Sequence, residues 1–199
     1  MAHFEEKNII LPVVPSDFSG LDGTCRYCSD ESAGQIREAV RALPLRAIHA
    51  MGTGDYHYTT LFWLERIYEP FTLVLFDNHP DDQKDAFGSG ILSCGGWVER
   101  ARALPFCKAD IWIRRAEDLP DSLSELPVYI SVDLDVLSED YARTNWDQGT
   151  MTMDELYSML SALARSRRIV GADICGGTTE DLNDLARRRI ITALGGPTF

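Results

Sequence analysis

The chain predicts a three-layer α/β/α fold on a mostly parallel sheet, and three observations carry that expectation. Apolar runs of four to six residues alternate along the chain with segments of helical period. The runs are apolar throughout rather than at every second residue, as strands covered on both faces require. Acidic and imidazole side chains gather directly after the runs, where the loops of a parallel sheet share one edge.

The elements follow in order. Residues 8–14 read as a strand, and Ser29-Asp30 can cap a helix that runs to residue 43. A strand is expected at 47–51, a helix at 59–67 and a strand at 71–76. A short helix at 97–103 precedes strands at 109–113 and 128–132. Thr152-Met153-Asp154-Glu155 has the spacing of a capping box, in which a hydroxyl and a carboxylate three residues apart satisfy each other's backbone N–H groups. It should open a helix to about residue 166, followed by a strand at 169–172 and a helix at 182–194. Arg187-Arg188-Arg189 falls late in that helix, where positive charge suits the dipole, and reads as solvated surface. Gly, Pro and Ser are spread over the loops with no linker or repeat, so residues 1–199 are expected to form one domain.

Composition excludes several functions. Nineteen Lys and Arg against 31 Asp and Glu give a net charge of −12, which repels phosphate backbones, and no basic stretch interleaved with aromatics offsets it. Nucleic acid is therefore not an expected partner. The start, Met1-Ala2-His3-Phe4-Glu5-Glu6-Lys7, is polar and acidic, and no run approaches the roughly 20 apolar residues of a membrane span. A cytoplasmic protein acting on a small molecule without a membrane partner is expected, with self-association left open. Five cysteines, Cys25, Cys28, Cys94, Cys107 and Cys175, have no regular spacing and fit a reducing compartment. Cys25 and Cys28 have C-x-x-C spacing without a second pair, and read more simply as two loop thiols.

Asp77, His79 and Asp81 stand at alternate positions directly after one apolar run, and Asp133 and Asp135 follow another. Side chains at i, i+2 and i+4 of extended backbone point the same way and can converge. Any one of these aspartates alone would be an ordinary loop or capping residue, but the joint pattern reads as a metal site. His57 leaves the strand expected to end at Met51, and Asp173 the strand expected to end at Ala172, on the same edge of the sheet. Six donors, His57, Asp77, His79, Asp81, Asp133 and Asp135, exceed what one tetrahedral zinc uses. Four carboxylates with two imidazoles favour a harder ion. The expected cofactor is two manganese ions sharing bridging carboxylates, with zinc or iron as the alternatives, and a water acidified between them as nucleophile.

Gly52-Thr53-Gly54-Asp55-Tyr56-His57, Asp77-Asn78-His79-Pro80-Asp81 and Ser131-Val132-Asp133-Leu134-Asp135 resemble, in order, the three metal-binding motifs of the arginase/agmatinase (ureohydrolase) family. The resemblance spans roughly residues 47–175, with the second and third motifs the specific ones. It implies an arginase-like three-layer fold with a dimanganese centre, in which His57 and Asp81 hold one ion, His79 and Asp135 the other, and Asp77 and Asp133 bridge. It further implies hydrolysis of a C–N bond in a linear guanidino, amidine or amide compound, with Asp81, Cys94 and Asp173 as catalytic candidates.

Two departures bear on the substrate. Ser93-Cys94-Gly95 puts a thiol where the family usually carries a proton-shuttling His, and Asp173-Ile174-Cys175-Gly176 puts a glycine where it carries a guanidinium-binding Glu. A cationic guanidinium thereby loses its main electrostatic partner, so the substrate should differ from arginine. Glu180 or Asp181 would replace that carboxylate only if their loop folds back. Cys94 and Cys175 could both sit near the centre as soft ligands, shuttles or specificity groups; Cys175 reads more simply as a buried apolar thiol, Cys94 as either, and the loop Asn145-Trp146-Asp147-Gln148-Gly149 as either a lid or a turn.

Three other functions compete. The Asp133-x-Asp135 spacing occurs in haloacid-dehalogenase-type phosphatases, but there it opens the fold, and the Asp77-x-His79-x-Asp81 set would go unused. A deacetylase-like enzyme of related fold would need one zinc rather than six donors. A metal-binding or regulatory protein without turnover draws on the departures at Cys94 and Gly176.

Overall fold

All six residues of Phe71–Phe76, all six of Val128–Asp133 and all eight of Ile169–Gly176 are buried. Only strands covered on both faces hide such runs. The structure, a computed structural model, describes residues 10–84, 90–179 and 181–198. Its elements are β1 (Val13–Pro15), β2 (Tyr27–Cys28), α1 (Asp30–Arg41), β3 (Ile48–Thr53), α2 (Thr60–Leu64), β4 (Phe71–Phe76), β5 (Leu92–Ser93), α3 (Trp97–Arg102), β6 (Cys107–Ile113), β7 (Val128–Asp133), α4 (Met153–Ser166), β8 (Ile169–Gly176) and α5 (Asp181–Ala193). Six strands form one sheet in the order β1-β3-β8-β7-β4-β6, with every neighbouring pair parallel. β2 and β5 make a separate antiparallel ribbon.

Alternation along the central strands divides the core into two layers. Val74 and Phe76 of β4 and Val128, Ile130 and Val132 of β7 pack with Leu156, Leu160 and Leu163 of α4 and Ile190 and Ile191 of α5. Phe71, Leu73 and Leu75 of β4 and Tyr129 of β7 pack on the other side with Ile36 and Val40 of α1, Leu61 to Leu64 of α2, and Trp97, Val98 and Ala101 of α3. The result is helix layers on both faces of a parallel sheet, the α/β/α class expected from the sequence. Among the described residues no helix is long and apolar enough to cross a membrane.

Local chemistry sets the helix ends. Ser29 caps α1 by accepting from the Ser32 N–H, with Asp30 and Glu31 in the first turn and Arg41 in the last, each sign matched to the dipole. Thr152 and Glu155 close the reciprocal capping box at the start of α4.

Several boundaries differ from expectation. The first strand is Val13–Pro15 rather than 8–14; it is an edge strand, where proline is tolerated, and residues 8 and 9 lie outside the described residues. The helix expected at 59–67 is a 3-10 turn, Gly54–Thr59, running into the short α2. β6 starts two residues earlier than expected, at Cys107 instead of 109. β8 continues past Ala172 to Gly176, which places Asp173 inside the strand rather than in the loop beyond it.

Candidate metal centre

Parallel strands deliver their carboxyl-terminal residues to one edge, and three strands, β3, β7 and β4, do so here with β8 lying between β3 and β7. β3 ends at Thr53, and the 3-10 turn after it buries His57. Asp77 follows the last residue of β4. Asp133 is the last residue of β7, and the 3-10 turn Leu134–Val136 carries Asp135. Asp81 sits at φ 48°, in the left-handed region that Asp tolerates better than most residues, and the turn aims its carboxylate back at His57.

The six sequence-predicted donors come together. His57 Nδ1 lies 3.1 Å from Asp77 Oδ2, 3.1 Å from Asp81 Oδ2 and 3.5 Å from Asp133 Oδ2. His79 Nδ1 lies 2.9 Å from Asp135 Oδ2 and 3.5 Å from Asp77 Oδ1. Two groups of three donors therefore form, His57/Asp77/Asp81 and Asp77/His79/Asp135, with Asp77 common to both. Backbone and ring N–H groups hold the carboxylates in place. Asp135 N donates to Asp133 Oδ1 at 3.0 Å, Asn78 N to Asp135 Oδ1 at 3.0 Å, His79 N to Asp77 Oδ1 at 2.6 Å and Trp97 Nε1 to Asp81 Oδ2 at 2.8 Å.

Below the cluster a hydrogen-bonded chain crosses three strands. His57 Nε2 lies 2.8 Å from Ser131 Oγ, Ser131 donates to Asp173 Oδ1 at 2.7 Å, and Tyr129 donates to Asp173 Oδ2 at 2.9 Å. The Tyr129 hydroxyl is also 3.3 Å from His49 Nδ1. Because Ser131 spends its hydrogen on Asp173, it can only accept from His57, which fixes the proton of His57 on Nε2. In the neutral ring Nδ1 then turns its lone pair toward three carboxylates, a repulsion that a second proton or a cation removes. Nδ1 is buried and has no hydrogen-bond partner, the arrangement that a cation relieves. This corrects the expectation for Asp173: it is fully buried inside β8 and touches Ser131 and Tyr129, so it positions His57 from behind.

Crowding perturbs the protonation of these groups. Burial, with repulsion from Asp135 and Asp77, pushes the Asp133 carboxyl well above its ordinary range. Burial pushes Asp135 up to about 6 and also raises Asp81. Burial opposes charge on His57, but Asp77 and Asp81 outweigh it and raise the imidazole well above 6.5. Hydrogen bonding to Asp135, then to Asp77, raises His79 to about 10. Buried carboxylates with a net excess of negative charge, facing two imidazoles, are the donor chemistry that suits divalent cations. The residues present fit such ions.

No family model matches the chain. A Thermotoga maritima protein described as uncharacterized is 30% identical over 189 residues, covering 87% of this chain and 75% of that one. Among solved structures, formimidoylglutamase from Bacillus subtilis superposes with a TM-score of 0.66 at 14% identity, covering 98% of this chain and 89% of that one. The chain belongs to the family of the Thermotoga protein and has the arginase-like fold. Proclavaminate amidino hydrolase from Streptomyces clavuligerus gives a TM-score of 0.67 at 16% identity, with 84% and 69% covered. A hypothetical agmatinase from Burkholderia thailandensis gives 0.65 at 19%, with 85% and 67% covered.

Within this arginase-like fold the departures have structural explanations. Gly176 has φ +97°, and a Cβ there would lie 1.8 Å from Asp133 Oδ1, so this backbone admits no glutamate. Glu180 lies outside the described residues. Cys94 packs in the apolar layer with α1, α2 and α3, where burial pushes its thiol up to about 12, and it joins no donor group among the described residues. Cys175, expected to be an apolar core thiol, instead lies 3.4 Å from Asp133 Oδ2. Sequence reasoning also missed Ser131 as the partner of His57. The alternation of Ser131 with Asp133 along one strand was the available signal. Asp55 near the mouth accepts from Arg26, Asn145 and Trp146, which pins the 145–149 loop beside the exposed edge of His79. A groove of about 1070 Å³ opens at the opposite edge of the sheet, bordered by Arg46, Arg168 and Leu194, and contains none of the donors.

Proposed function

We propose that the chain is a divergent member of the arginase/agmatinase family, hydrolysing a C–N bond in a linear guanidino, amidine or amide compound. The observation that carries the reading is the pair of three-donor groups sharing Asp77 at the carboxyl edge of the sheet. His57, Asp77 and Asp81 would hold one ion and Asp77, His79 and Asp135 the other, with Asp133, 3.5 Å from His57, as the second shared carboxylate. When bound, two manganese, zinc or iron ions would acidify a shared water and polarise the target carbon.

The chain's own residues do the rest. Trp97 and the backbone N–H groups of His79, Asn78 and Asp135 fix the carboxylates before any ligand arrives. Ser131 and Asp173 keep His57 in one tautomer. His79 is the donor nearest solvent, its side chain 34% exposed, and Trp146 stands edge-on 6.0 Å away, so substrate would enter over these two rings. With Gly176 in place of a carboxylate, an uncharged amide or ureido group is favoured over a guanidinium or amidinium cation. The names of the structural neighbours, formimidoylglutamase, amidino hydrolase and agmatinase, support the reaction class.

The test is a screen of metal-loaded protein against guanidino, ureido, amidine and amide compounds, following ammonia or urea. Turnover of at least one class is expected. A second reading, a metal-binding or regulatory protein without turnover, draws on Gly176 and on the buried Cys94; complete inactivity with the metal site filled would favour it. Asp133→Asn should lose at least one ion per chain by metal analysis, and an unchanged content would refute the shared role of Asp133.

A further inference from the structure

Cys175 is buried, yet it belongs to neither apolar layer. Its surroundings are polar: the thiol lies 3.4 Å from Asp133 Oδ2 and 3.7 Å from the Thr53 carbonyl. Parallel pairing sets this placement, because β7 and β8 run side by side with Ser131 opposite Asp173 and Asp133 opposite Cys175. Asp173 and Cys175, two residues apart, point to the same face. One backs His57 through Ser131 and the other flanks Asp133. His57, Asp133 and Cys175 form a third group whose donor atoms lie within 4.8 Å of one another. A separate observation points to the same place, since the unpartnered Nδ1 of His57, 1% exposed, is a member of that group.

We propose that Cys175 is a metal ligand at the His57 end of the centre and biases that end toward a softer ion, zinc, cobalt or iron(II), over manganese. Thiolate sulfur prefers those ions, whereas carboxylates alone would leave manganese competitive. On binding, the thiol proton is released and the sulfur–metal bond replaces the contact with Asp133. The proposal rests on the metal-centre reading above, and it makes β8 a donor strand in its own right.

Cobalt(II) is the probe, because a thiolate ligand adds a near-ultraviolet charge-transfer band to the visible bands that any bound cobalt shows. Purified wild type, Cys175→Ser and Cys94→Ser are titrated with cobalt, with circular dichroism checking that each is folded. Wild type and Cys94→Ser should show the charge-transfer band. Cys175→Ser should keep the visible bands and lose it, and its preference for zinc over manganese in competition titrations should drop by about 10- to 100-fold, the scale on which changes around a metal act. Visible bands without a charge-transfer band in wild type would overturn the role of Cys175 and leave the metal centre standing. A band lost in Cys94→Ser instead would also overturn it. Failure to bind cobalt at all would overturn the metal centre together with this inference.

Discussion

Gly176 shows how one residue constrains the centre. Its φ of +97° suits glycine alone, and its missing Cβ makes room for the Asp133 carboxylate. Gly176→Ala should therefore cost about 1–3 kcal/mol in strain and displace Asp133. A lowered melting temperature together with reduced metal content is expected; wild-type metal content in a folded variant would show that Asp133 has room to move. The six donors were legible in the sequence because alternate spacing after an apolar run is a local pattern. Cys175 was open in the sequence between a core thiol and a soft ligand, because a thiol at the end of an apolar run looks like any core cysteine until its cross-strand neighbour is known. The sequence alone places Asp173 beyond its strand, because its position inside β8 is set by backbone pairing with β3 and β7, which no local pattern shows.

At the scale of elements, strands and helices with strong local signals were legible and those shaped by packing were not. The capping box of α4 is written in four residues and fixes its first turn. Thr152→Ala should lower stability by about 1 kcal/mol, read from denaturant unfolding, with metal content unchanged because α4 holds no donor. An effect near zero would mean that Glu155 alone satisfies the first turn. Two-residue strands such as β2 and β5 are too short to leave a period, and their pairing is set by tertiary contact. The segment 54–64 carries apolar residues at helical spacing, but it divides into a 3-10 turn and a short helix, an arrangement that buries both His57 and Tyr58.

At the scale of the whole molecule, the α/β/α class was legible from the alternation of elements, whereas the strand order was not, because order depends on which crossovers skip a strand. That order puts β8 between β3 and β7 and so creates the polar chain running beneath the candidate metal centre to His49. His49 is buried in a stack on Trp63, ring centroids 3.5 Å apart, and burial lowers its imidazole to about 4. The unfolded chain takes up this proton near pH 6.5 and the folded chain near 4. Stability from this residue is thus complete above about pH 6.5 and falls as pH drops toward about 4, by roughly 3 kcal/mol. His49→Gln should flatten that part of the stability curve relative to wild type. Equal slopes for the two proteins would place the acid sensitivity elsewhere.

The donors that share Asp77 come from the ends of β3, β4 and β7, far apart in the chain, so only the finished sheet offers them together. A cation that settles there recognises the native fold alone, and by mass action its free concentration adds to the persistence of that fold. Scarcity of the ion would then be felt as shorter protein lifetime as well as slower chemistry, tying abundance to metal supply.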